Sequence, residues 1–73
     1  MNVLQYINPE TKRTEIMVAV EDIIAFYHDA TGALYGNKDS FNIIIGRGQP
    51  SWCEVTEGCY NWMLEQWAEK QAK

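Results

Sequence analysis

Histidine, cysteine and basic side chains are scarce in this 73-residue sequence, which holds one His, two Cys and six Lys plus Arg against ten acids. Each scarcity excludes something. Two cysteines, Cys53 and Cys59, cannot build a disulfide framework. Met1 is followed by neither a basic stretch nor a long apolar one, so a secretory signal is not expected. Both thiols are therefore read as reduced, and the protein as cytoplasmic. A net charge of -4 argues against a sequence-independent grip on DNA or RNA, which needs clustered Lys and Arg. No unbroken apolar run exceeds five residues, as in Ile16 to Val20, whereas a membrane helix takes about 20. Internal repeats, low-complexity tracts and linkers are missing too, so residues 1–73 read as a single domain.

What is plentiful is apolar and aromatic surface. Apolar residues make up 47% of the chain, with three Trp, four Tyr and two Phe, so a packed core is within reach. A chain this short buries only about 60% of what its unfolded form exposes. Some rings are therefore expected outside, where self-association would cover them.

Residues 2–7 alternate, with Val3, Gln5 and Ile7 on one side and Leu4 and Tyr6 on the other. Asn8-Pro9 then signals a turn, and residues 14–20 are β-branched and apolar. Together they predict a β-hairpin over 2–20. Glu21-Asp22 interrupts, and one helical turn leading into a strand over 24–29 fits best, with Asp22 as its cap. A helix over 21–30 is the alternative. Gly, Asn, Asp and Ser crowd residues 30–40, which read as a loop carrying Leu34 and Tyr35. Strands are expected at 41–45 and 51–55, the second placing Trp52 and Cys53 on opposite faces. Thr56 is a natural N-cap, and Glu57 suits the first turn of a helix over 57–70. Tyr60, Met63, Leu64 and Trp67 form its apolar stripe, with Glu65 and Glu69 opposite. The fold class expected is α+β: a small antiparallel sheet of four to five strands packed by one C-terminal amphipathic helix.

Trp62 falls near Glu65 and Glu69 on the helical wheel. An exposed Trp on an acidic face is a contact residue; a slightly rotated helix would instead pack it over the sheet edge. Leu34, Tyr35, Glu65 and Glu69 complete the candidate partner-contact set. Arg47, in Gly46-Arg47-Gly48-Gln49-Pro50, and Lys38 are candidate anion binders. That glycine-rich segment precedes a strand rather than a helix, so it reads as a tight turn and not a phosphate cradle.

Cys53, Cys59 and His28 fall short of the four ligands zinc takes, or three and a water, and their spacing is not a CxxC knuckle. No metal and no cofactor is expected. A Cys/His pair is formally present, and Cys59 near a helix start would have its thiolate favoured. An orienting group and an oxyanion site are not evident beside it, so buried thiols are the plainer reading.

The order around Ala19-Val20-Glu21-Asp22-Ile23-Ile24, then a strand, a turn with Gly46 and Gly48, a last strand and a helix, resembles the small flagellar FlbD/SwrD-type proteins. More loosely it resembles the LytTR-type β domains. The resemblance implies the layout and no functional residue. LytTR domains bind DNA through basic loops, and this chain lacks that charge. The expected function is a non-enzymatic, acidic protein-interaction module, an inhibitor or adaptor that binds a protein partner or itself. No nucleic acid and no membrane is expected among its partners. An oligomer whose interface pocket holds a small anionic ligand beside Arg47 is the alternative, and a thiol enzyme a more distant one. A short acidic chain of this kind also suits a phage or other mobile element.

Overall fold

The computed structural model describes residues 2–36 and 38–71. Residue 37 of the expected loop and the ends of the chain, 1 and 72–73, lie outside the described residues. β1 (Val3–Ile7) and β2 (Thr14–Ala19) pair antiparallel as a hairpin. β3 (Ile23–Asp29), β4 (Ser40–Ile45) and β5 (Ser51–Val55) form an antiparallel sheet in that order, and α1 (Glu57–Gln71) follows. This is the α+β class that the periodicity predicts. The five strands are divided into a two-stranded and a three-stranded sheet rather than joined in one.

The division occurs at residues 20–22. Val20–Asp22 is a short 3-10 turn with extended backbone on both sides. The alternative helix over 21–30 is therefore excluded, because 23–29 pairs with β4. Asp22 ends the turn instead of capping it, and Ala19, the residue before the turn, offers no side-chain cap. Backbone bonds hold the turn in place: Val20 N donates to Asn2 O and Asp22 O accepts from Gly46 N. Gly46 sits at φ +94°, and a Cβ there would stand 2.8 Å from Gln49 O, so the β4–β5 turn requires glycine.

The first hairpin closes on Asn8. Its side-chain Oδ1 accepts the backbone N–H of Glu10 and Thr11, and its own N–H donates to Arg13 O. Lys12 takes a left-handed φ of 63° to finish the turn. In the ladder Tyr6 faces Ile16 but Ile7 faces Thr14, so Glu15 is the extra residue of a bulge. A bulge re-aims a side chain. Here the Glu15 carboxylate accepts from Asn8 Nδ2 and from both N–H and hydroxyl of Thr56.

Thr56 in turn caps α1, its Oγ1 accepting from Cys59 N at 3.3 Å. A capping box needs an acid at the third helical position to bond the cap's own N–H. That position is Cys59, and Glu15 supplies the missing carboxylate from β2. The helix lays Cys59 and Met63, fully buried and one turn apart, onto Leu4, Val18, Val20, Ile23, Ile43 and Val55. Phe26 and Phe41 meet Tyr60 edge-on, and Phe26 also meets Trp67. The inner face of the three-stranded sheet is thereby covered.

Candidate functional site

Side chains alternate across a strand, so residues next to those covered by α1 point outward. The outer face of the three-stranded sheet therefore carries Ala25 and Tyr27 from β3, Asn42 and Ile44 from β4, and Trp52 and Glu54 from β5. Register sets them in rows: Ala25 faces Ile44, which faces Trp52, and Tyr27 faces Asn42, which faces Glu54. The Tyr27 and Trp52 rings meet at 5.8 Å between centroids, tilted at 71°. Ile44, between their strands, is buried although it belongs to no part of the main core. Tyr27 is 45% exposed and Trp52 50%.

The 30–36 segment folds over one end of this face. Asp29 organises it: Oδ2 accepts Leu34 N at 2.8 Å, and Oδ1 accepts the hydroxyl and N–H of Thr31. These bonds to Leu34 and Thr31 hold the carboxyl below its ordinary value despite burial. Tyr35 donates its hydroxyl to Asn42 Oδ1, and Asn42 Nδ2 donates to Ser40 Oγ and Tyr27 O. Asp29, Ser40 and Asn42 are thus buried with their bonds made, while Leu34 at 45% and Tyr35 at 43% keep apolar surface open. Ile24, at the β3 bulge, is exposed at the opposite end of the strand.

The structure therefore brings Leu34 and Tyr35 to the end of an aromatic sheet face and leaves the other three contact candidates elsewhere. Trp62 is half-buried, its ring 5.6 Å from that of Tyr6 on β1. Of the two placements open to Trp62, packing holds rather than exposure: the helix is turned so that this ring covers Tyr6 on the hairpin, while Cys59 and Met63 take the centre of the buried side. Glu65 and Glu69 are exposed on the helix. Tyr27, Ile44 and Trp52 are the residues that sequence reasoning missed. The signal was present in the Trp52/Cys53 alternation together with one helix, which can cover only one side of a sheet.

The two anion candidates stand apart. Arg47 Nε donates to Glu21 O at 2.9 Å, and its guanidinium lines a groove of about 490 Å³ with Asn2, Glu21, Trp67 and Lys70. Lys38 sits 3.8 Å from Glu54 in another groove, of about 470 Å³, shared with Glu15, Asp39 and Glu57. Four carboxylates there make the surroundings of Lys38 unfavourable to an anion.

Both cysteines are free thiols. Burial, then the nearby Glu15 charge, pushes Cys59 up to about 12. The expectation of a favoured thiolate is corrected, since the helix start cannot offset complete removal from water. His28 stacks flat on Phe41, centroids 4.1 Å apart, with Nε2 3.4 Å from Asp39 Oδ2. Among the described residues no group of three or more His, Cys, Asp or Glu is placed to hold a metal ion. Among them, too, no helix is long and apolar enough to cross a membrane. Compared with family models, curated proteins and solved structures, the chain matches none of them.

Proposed function

We propose that this chain is a non-enzymatic protein-interaction module, an inhibitor or adaptor, and that it docks through the outer face of its three-stranded sheet. One observation carries the reading: Tyr27 and Trp52 keep about half their surface open while touching each other over a buried Ile44. Rigid aromatic rings on a sheet supply contact area at little cost in side-chain entropy, and Tyr and Trp dominate interface energetics. Leu34 and Tyr35 extend the patch, and their loop is already fixed by Asp29. The net charge of -4 adds solubility.

The test compares immobilised wild type with Trp52→Ser and with a Glu65→Gln/Glu69→Gln double variant, offered both a second tagged copy and extract of the source cells. Wild type and the helix variant should retain the same bound protein, and Trp52→Ser should lose it. Loss on the helix variant with retention on Trp52→Ser would place the contact surface on α1 and sink the reading.

A second reading has its own observation. Arg47 and Lys70 outnumber the single Glu21 carboxylate beside Asn2 and Trp67 in one groove, a setting for a small anion with an apolar body. Arg47→Ala should then abolish ligand-dependent stabilisation and leave protein capture intact. Added mass that survives native spectrometry and leaves on denaturation would favour this reading over the first.

A further inference from the structure

We infer that the occupant of the outer sheet face is a second copy of this chain, packed face to face through Tyr27, Trp52, Leu34 and Tyr35; this rests on the docking reading above and names its partner. Two arguments select a second copy.

The first is charge. Of the ten acids in the chain, the outer face exposes only Glu54, and Lys38 stands beside it at 3.8 Å; Asp29 is buried beneath its loop. Glu15, Asp39 and Glu57 line the groove that Glu54 and Lys38 border, at the rim of the face, while its centre, Ala25, Tyr27, Ile44 and Trp52, carries no charge. Two chains of net charge -4 repel least where they meet away from that charge, and the centre of this face is such a place. A basic partner would be drawn instead to the acid-lined groove of Glu15, Asp39 and Glu57.

The second is area. An aromatic side chain carries about 150–250 Å², so the half-exposed rings of Tyr27, Tyr35 and Trp52 with Leu34 offer on the order of 300–450 Å² of apolar surface. A standard interface covers about 800 Å² per partner, of which about 56–65% is apolar. The patch supplies the greater part of the apolar share of one side, and a twofold axis lets one patch serve as both sides. Two three-stranded sheets would then stack as a sandwich at about 10 Å. The hairpin offers a rival face, where Val3, Ile7 and Met17 are exposed, but polar Gln5 and Thr14, bonded to each other, break it up.

Sedimentation velocity from low micromolar to near-millimolar protein tests this, with circular dichroism on each variant. Wild type should pass from monomer to dimer as concentration rises. The dimer should tighten with added salt, because screening relieves the repulsion of like-charged copies. Trp52→Ser and Leu34→Glu should each weaken it about tenfold or more. Met17→Ser and Glu65→Gln should leave it unchanged. Leu34→Glu alters only an exposed loop side chain and keeps the test valid if Trp52→Ser unfolds. A monomer at every concentration overturns the second copy alone, since capture of a different protein by this face is read separately by the Trp52→Ser comparison. A dimer lost in Met17→Ser but intact in Leu34→Glu overturns both the second copy at this face and the face itself.

Discussion

Trp52 and Tyr27 stand on the two outer strands of a three-stranded sheet, yet their rings touch across the central strand, 5.8 Å between centroids. Edge-to-face ring pairs contribute about 0.5–1.5 kcal/mol beyond the area they bury. A double-mutant cycle of Trp52→Ala and Tyr27→Ala in urea should return a coupling of about that size. Additive effects would mean that the rings are neighbours without interacting.

Glu15 and Thr56 form a second coupled pair. Thr56→Ala should cost about 0.5–2 kcal/mol through the lost cap. Glu15→Ala should cost about 0.5–1.5 kcal/mol, because the exposed Thr56 N–H and hydroxyl exchange the carboxylate for water. In a domain of this size each kcal/mol lowers Tm by about 4–8 °C. The double variant should cost less than the two singles together. Thermal unfolding of all four proteins checks this.

Cys59 should be inert in the native state. With its thiol pushed up to about 12 and its side chain fully buried, an alkylating reagent near neutral pH should label the half-buried Cys53 first. Cys59 should react only on unfolding, which mass mapping of the modified peptides would reveal. The same raised value makes the fold alkali-sensitive. Stability that is complete below the ordinary thiol value of 9.0 should fall as pH rises from there toward 12.

Asp29 has the opposite sign. Its carboxyl is held below the ordinary 3.8, so its contribution is complete above that value and is lost as pH falls through the lower, folded one. The 30–36 segment should therefore loosen in acid before the rest of the chain. Amide exchange at Leu34 should accelerate below pH 3.8, and Asp29→Asn should remove that dependence. An unchanged Leu34 rate across this range would show that the segment is held by something else.

The order and type of the elements were legible because each rests on local chemistry. Alternation in 2–7, the Asn8-Pro9 turn, the Ile-rich strand at 41–45 and the Thr56 cap all report neighbouring residues. What was not legible depends on contacts distant in sequence. The wheel ranks Trp62 by its angle on the helix, but its burial is decided by Tyr6, on the first strand. Arg47 and Lys38 look alike in a linear reading and are separated by the sheet into grooves of different charge. The role of Asp29 was hidden because a buried acid is recognisable only once the Thr31 and Leu34 donors have folded over it.

The reach of the Glu15 carboxylate also bears on the order in which the fold assembles. Its receiver, Thr56, lies 41 positions further along the chain. A two-stranded hairpin alone is marginal in water. During synthesis the hairpin emerges before α1 and must wait for those 41 positions before its carboxylate meets the helix it caps. These strands are therefore expected to gain their structure in one step, once α1 has cleared the ribosome.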